Sequence, residues 1–295
     1  MTTAVVCLIA DPARAPLDPA LVGALARALG APPRWLAEAE ACEFQVEDVP
    51  RQELAARLAA SVAEAPLDVA IVPAQPREKR LLVSDMDSTM ITIECIDELA
   101  DAIGIKPEVA AITRRAMNGE LDFRAALEAR VALLAGLPVA VFEEIYRERL
   151  RYMPGARTLI QTMHARGALT ALVSGGFVPF TDRVRAALGF DLAQANRLEI
   201  RGDRVTGRLL PPIRHPGSKL AMLQRLARAR GLGREQTLAV GDGANDLPML
   251  TAAGLGVAYH AHPVVAASVP VAIKVGDLSA LLYLQGIAKR NFVLT

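Results

Sequence analysis

Two carboxylates two residues apart, Asp85 and Asp87, close a short apolar run from Arg80 to Ser84, in the stretch Asp85-Met86-Asp87-Ser88-Thr89. A carboxylate at the mouth of a buried strand loses its hydration and is costly there unless a cation or hydrogen-bond donors compensate it. A hard ion such as Mg²⁺ suits that need, because it takes oxygen ligands octahedrally and keeps several waters. A second acidic cluster, Gly241-Asp242-Gly243-Ala244-Asn245-Asp246, follows another apolar run, Thr237 to Val240, with glycines that permit tight turns. If both runs are parallel strands of one sheet, the clusters meet at its carboxyl edge. Asp85, Asp87 and Asp242 would then share one divalent ion, with Asn245 and Asp246 supporting those ligands. Either cluster alone also reads as a solvated turn.

So much negative charge around one ion would repel an anionic substrate unless cationic or N–H groups line the opposite side. Ser174-Gly175-Gly176 follows the apolar run Ala168 to Val173 and precedes a helical pattern, so a hydroxyl and free backbone N–H groups can meet a phosphate oxygen. Lys219, at the start of a helical segment from Ser218 to Arg230, adds a point charge. Taken singly, Ser174 reads as a helix cap and Lys219 as a solvated lysine; their order along the chain relative to the acidic clusters is what joins them.

That order, Asp-x-Asp-x-Thr, then Ser-Gly-Gly, then Lys, then Gly-Asp-Gly-x-Asn-Asp, resembles the motifs of the haloacid dehalogenase-like phosphohydrolases. The stretch Ser84 to Glu98 and the later Arg115-Ala116-Met117-Asn118-Gly119-Glu120-Leu121-Asp122-Phe123 are similar to the phosphoserine phosphatase family, over about Leu82 to Leu284. The resemblance implies that Asp85 is a nucleophile forming an aspartyl-phosphate, Asp87 its acid and base, and Mg²⁺ the cofactor. It also implies an O-phospho-L-serine substrate from the last step of serine biosynthesis. By the same resemblance Glu94 meets the substrate ammonium and Arg130 its carboxylate. Met117 and Phe123 close the apolar side, and Ser174, Gly175, Lys219 and Asn245 receive the phosphate. Opposite protein charges suit a zwitterion, and an arginine fork suits a carboxylate.

The elements that must position these residues follow from hydrophobic patterning. The order of apolar runs and helical patterns up to about residue 76 is βαββαβ: Val5 to Ala10, Pro19 to Leu29, the stretches around Trp35 and Phe44 to Val46, Leu54 to Val62, and Leu67 to Val72. This predicts a small α+β domain over 1–76, similar to ferredoxin-like or ACT-type modules, with or without a regulatory ligand. Pro73 to Lys79 reads as a linker. Residues 77–295 then read as a Rossmann-like α/β domain with a mainly parallel sheet, its further strands at Leu255 to Ala258 and Val271 to Val275.

Between its first two strands, helical patterns at Ile96 to Ile103, Pro107 to Met117, Phe123 to Leu134 and Val139 to Leu150 predict a helical cap over about 92–152, standing over the crevice where such sheets bind ligands. Alternation around Gly202-Asp203 predicts a small hairpin insertion over about 197–208.

Composition narrows the classes. Lys+Arg 33 against Asp+Glu 32 gives a net charge of +1, which removes the general field that draws nucleic acid or an anionic membrane. Seven Phe, four Tyr and one Trp supply a stacking platform poorly. The greasy stretch Ala252 to Val275 is interrupted by His260, His262, Pro263, Pro270 and Lys274, so no spanning helix is expected. Cys7, Cys42 and Cys95 form no paired motif, which fits a reducing, cytoplasmic setting. A homodimer is compatible with this sequence, and the histidines match no metal or nucleophile spacing. Competing readings are a related phosphatase or phosphotransferase acting on another small amine or alcohol, a phospho-Asp switch, and an amino-acid sensor.

Overall fold

The computed structural model describes residues 3–62, 65–117 and 120–294. The first unit runs β1 (Thr3–Ala10), α1 (Pro19–Leu29), β2 (Pro33–Ala37), β3 (Ala41–Glu47), α2 (Arg51–Val62) and β4 (Leu67–Pro73), with the strands in the order β2-β3-β1-β4. All the pairings are antiparallel. Local chemistry sets the helix ends: Asp18 accepts from the Ala20 N–H, Pro19 opens α1, and Gly30 at φ +64° ends it. Strand periodicity sorts β1 into two faces. Val6 and Leu8 pack under α1 and α2 with Leu25, Phe44 and Leu54, whereas Val5, Cys7 and Ile9 join the core of the rest of the chain beside Leu281 and Tyr283. With both faces covered, β1 reads as a continuous apolar run rather than an alternating one.

The second unit opens with β5 (Leu81–Ser84), and a helical excursion follows: α3 (Cys95–Ala102), α4 (Lys106–Met117), α5 (Phe123–Ala132) and α6 (Ala140–Glu148). Its two ends run side by side, since the Thr92 N–H donates to Arg151 O and the Met153 N–H to Met90 O, both at 2.9 Å. The chain then alternates through α7 (Ala156–Ala165), β6 (Leu169–Phe177), α8 (Val178–Leu188), β7 (Leu192–Arg201), β8 (Arg204–Leu210) and α9 (Pro216–Ala229). It finishes with β9 (Thr237–Gly241), α10 (Leu247–Ala252), β10 (Leu255–Tyr259), α11 (Pro263–Ser268), β11 (Val271–Ile273) and α12 (Ala280–Tyr283).

The sheet order is β11-β10-β9-β5-β6-β7-β8, parallel except for the β7–β8 hairpin at its edge. The chain leaves β5 first toward β6 and later toward β9, so the strand order reverses at β5, where sheets of this kind bind ligands.

Three details differ from the sequence patterns. Helix α7, with Leu159, Ile160 and Met163 buried, is a crossover back to the sheet that the four expected cap helices did not include. Strand β6 runs on through Ser174-Gly175-Gly176 with a register shift between Val173 and Phe177, and α8 starts only at Val178, so Ser174 is not its cap. The β7–β8 hairpin is longer than the expected insertion and reaches the excursion, with Gly136 N–H donating to Val205 O (2.8 Å) and Val139 N–H to Asp203 O (2.8 Å). Among the described residues no helix is long and apolar enough to cross a membrane.

Candidate active site

Parallel pairing of β5 with β9 puts Ser84 beside Val240, and the Asp85 N–H continues the ladder to Val240 O at 3.1 Å. Asp85 and Asp242 therefore leave neighbouring strands at the same edge. The Asp85 carboxylate is pinned on both oxygens: Oδ1 accepts from the Met86 N–H at 2.7 Å, and Oδ2 lies 2.6 Å from Lys219 Nζ. Lys219 comes from the first turn of α9, is 3% exposed, and also reaches Asp246 Oδ1 at 2.6 Å. Burial pulls the Lys219 pKa down, but Asp85 and Asp246 outweigh it and hold the ammonium protonated.

The carboxylates of Asp85, Asp242 and Asp246 each offer an oxygen within 4.8 Å of the others. Burial and the charge of Asp85 raise the pKa of Asp242, as expected of crowded acids facing the single ammonium of Lys219. Asp242 Oδ1 accepts from Thr89 Oγ1 at 2.7 Å, and Asp246 Oδ2 from the Gly243 N–H at 3.1 Å. This donor set is all oxygen and suits a hard divalent cation.

The Asp87 side chain turns elsewhere. Its Oδ1 accepts from the Cys95 N–H at 3.2 Å, and its Oδ2 from Ser174 Oγ at 3.1 Å. The expected trio of Asp85, Asp87 and Asp242 thus differs from the observed grouping, in which Asp246 stands with Asp85 and Asp242. Burial chiefly, with Asp85 beside it, pushes the Asp87 pKa up to about 6, against the hydrogen bonds that lower it. A carboxyl with that value can exchange a proton near neutral pH. Gly176 makes the approach from β6 tolerable: a Cβ there would stand 2.8 Å from Asp87 Oδ2 and 3.0 Å from Ser174 Oγ.

Above these groups lies a cleft of about 270 Å³. Asp85, Asp87, Gly175, Asp242 and Asn245 form its floor, and Glu94, Phe123, Leu127 and Arg130 its wall on the excursion side. Glu94 accepts from Ser88 Oγ at 2.7 Å, and burial with the Asp87 charge pushes its pKa up to about 8. Arg130 is partly buried, and burial lowers its pKa against the pull of Asp97 and Glu94. Ser174 and Lys219 sit deeper, walling a narrow recess below. Met117 ends α4, but its side chain, like residues Asn118 and Gly119, lies outside the described ones.

Sequence patterning missed Ser88, whose φ of +55° turns its hydroxyl to Glu94. It missed Asn196, which is buried and donates to Gly175 O at 2.7 Å. It also treated as ordinary a histidine, His262, that lines the cleft.

The profile of the haloacid dehalogenase-like hydrolases matches residues 82–251. The chain is a haloacid dehalogenase-like hydrolase. This hydrolase is similar to the phosphoserine phosphatase of Streptomyces coelicolor, 47% identical over 253 residues, or 85% of this chain and 62% of that protein. The phosphoserine phosphatase of a Polaromonas species is 49% identical over 210 residues, covering 70% of this chain and 89% of that one. In three dimensions the hydrolase is similar to a HAD family hydrolase from Salmonella enterica serovar Typhi, with a TM-score of 0.84 and 32% identity over 96% of this chain and 98% of that chain. That likeness takes in the N-terminal sheet as well as the parallel core. Family membership implies a divalent metal, and the buried aspartates fit one.

Proposed function

We propose that this hydrolase cleaves O-phospho-L-serine to serine and phosphate through an aspartyl-phosphate on Asp85, with Mg²⁺ as its metal, in the cytoplasm. The phosphoserine phosphatases of Streptomyces and Polaromonas support the substrate, and the free, buried Cys7, Cys42 and Cys95 agree with the compartment. The observation that carries the chemistry is the division of labour between two acids. Asp85 is ion-paired to Lys219, while Asp87, two residues on, is pushed up to about 6.

Asp85 attacks phosphorus, the P–O bond to serine breaks, and the proton held by Asp87 passes to the departing alkoxide oxygen. Water then attacks the aspartyl-phosphate, gives its proton to Asp87, and leaves Asp85 and inorganic phosphate; covalent catalysis splits one difficult step into two easier ones. Lys219, Ser174 and the N–H groups of the Gly175-Gly176 stretch offset charge on the phosphoryl oxygens. Asp85 and Asp242, with Asp246 beside them, would hold Mg²⁺, which supplies charge neutralisation to the phosphoryl group when bound.

Glu94 and Arg130 face the cleft with opposite charge, as a zwitterion requires. An arriving ammonium favours the ionised form of Glu94, so binding draws its proton away. The test is phosphate release from a panel of phosphorylated small molecules, with and without Mg²⁺. Phosphoserine turned over at least tenfold better than phosphoethanolamine and phosphoglycolate is the expected result; a flat panel would overturn the substrate assignment.

A further inference from the structure

The turn that carries His262 into the cleft is tied, bond by bond, to the N-terminal sheet. Asp68 on β4 is 4% exposed. Its carboxylate accepts from the N–H groups of Lys274 (2.7 Å), Val275 (3.1 and 3.2 Å) and Gly276 (2.8 Å), the segment just after β11. Gly276 O in turn accepts from His260 Nε2 at 3.0 Å, and the His260 N–H donates to Ile273 O at 2.8 Å. These bonds hold His260 at φ +44°, in the left-handed region that residues with side chains avoid, and its ring leans on Tyr259 with centroids 4.4 Å apart. Two residues on, the His262 N–H donates to Asp242 O at 3.3 Å. A path of hydrogen bonds and two peptide links therefore runs from β4 of the N-terminal unit to the backbone carbonyl of Asp242 at the catalytic edge.

We propose that Asp68 is a positioning residue for catalysis: by fixing residues 274–276 it keeps His260 in its left-handed conformation and so sets where His262 and Asp242 stand. The N-terminal unit is then part of the machinery that orders the cleft, beyond any ligand of its own. The kinetic consequence rests on the phosphatase reading; the structural consequence does not. Coupling spread along such a path typically reaches 0.5–2 kcal/mol, about 2- to 30-fold in a rate. Because Glu94 and Arg130 stand on the other wall, the loss belongs in kcat rather than KM.

The experiment compares full-length Asp68→Asn, His260→Asn and Glu43→Gln by amide hydrogen exchange and by steady-state kinetics on phosphoserine. Glu43 docks the same sheet elsewhere: it accepts from Arg77 Nη2 at 2.9 Å, and Arg77 Nε donates to Leu284 O at 3.2 Å. Asp68→Asn and His260→Asn should each speed exchange at 260–262 by about 10-fold and lower kcat with KM nearly constant. The double variant should be little worse than the worse single, because both break one path. Glu43→Gln should leave 260–262 and kcat unchanged.

If Asp68→Asn frees only 274–276 and spares 260–262 and kcat, Asp68 is a fastener and the proposal fails. An equal loss in Glu43→Gln would assign the effect to docking in general and overturn it as well. Should Asp68→Asn not fold, exposed His260 on the core side carries the decision, and normal exchange and kcat in His260→Asn sink the idea. A wild-type chain without phosphoserine turnover would end the phosphatase reading, while the exchange data would still decide the path.

Discussion

Among the described residues, buried carboxylates occur in two regions, and those at Asp68 and at the sheet edge are compensated in opposite ways. At the junction of the two units, Asp68 is surrounded by three backbone N–H donors, and burial raises its pKa only against those hydrogen bonds. Its hydrogen-bonding needs are met within the fold. At the sheet edge, Asp85 and Asp246 pair with the Lys219 ammonium and Asp242 stands beside them, while Asp87 and Glu94 are pushed up to about 6 and about 8 by burial chiefly, with neighbouring carboxylates adding to it. A buried acid satisfied by amides orders the segment whose N–H groups it holds, whereas acids short of cations hold a place for something that binds.

The largest expected effect comes at the under-compensated edge. Asp85→Asn should cost about 10⁴-fold or more in turnover and abolish the acid-labile phosphoenzyme, while the melting temperature of the metal-free protein holds or rises because a repelling charge is gone. Loss of fold together with loss of activity would erase the contrast with Asp68. Next, Arg130→Ala should lower kcat/KM for phosphoserine by about 10- to 100-fold, the worth of one charge-assisted contact, and spare phosphoethanolamine, which lacks the carboxylate. Equal losses on both would make Arg130 a support of the cap.

Asp68→Ala strands three N–H groups and should destabilise by about 1–3 kcal/mol, read as a lower melting midpoint in chemical denaturation.

The smallest effect is a slope. Asp87 and Glu94 bind their protons more tightly folded than unfolded, where they titrate at 3.8 and 4.5, against about 6 and about 8 in the fold. Protonated acids favour the folded state, so the stability of chelator-treated protein should fall as pH rises from about 4 to about 8 and level off above. Glu94→Gln should flatten the upper part of that decline and Asp87→Asn the lower. A metal-free protein that gains stability over this range would contradict the charge excess.

The catalytic edge was legible in the sequence because its residues arrive in short motifs at strand ends: Asp85 and Asp87 after one apolar run, Asp242 and Asp246 after another. Periodicity also gave the βαββαβ order and the helical excursion, for those rest on local patterns of apolar residues. What stayed hidden depends on distance in the chain or on direction in space. Asp68 meets Gly276 across 208 residues, and Asn196 meets Gly175 across the sheet, with no local signal in either case. The turning of the Asp87 carboxylate toward Ser174 and Cys95 is a choice of side-chain direction that spacing alone does not encode. Strand β6 outran its apolar run across a register break, where side-chain hydrogen bonds from Asn196 to Gly175 O and from the Gly176 N–H to Ser174 Oγ, rather than propensity, hold Ser174 and the glycines.

The docking of the N-terminal sheet also implies an order of events during synthesis. Asp68 waits for residues 274–276, Arg77 for Leu284, and Glu40 for Tyr283 and Lys289. The N-terminal sheet therefore cannot reach its seat until residues such as Gly276, 208 positions further along the chain than Asp68, have followed it. Until then the β1 face bearing Val5, Cys7 and Ile9 is uncovered apolar surface, a place for a chaperone or a neighbouring nascent chain to stick. A ribosome stalled before residue 274 would display that face indefinitely, and the arrival of residues 274–289 is what allows it to be buried.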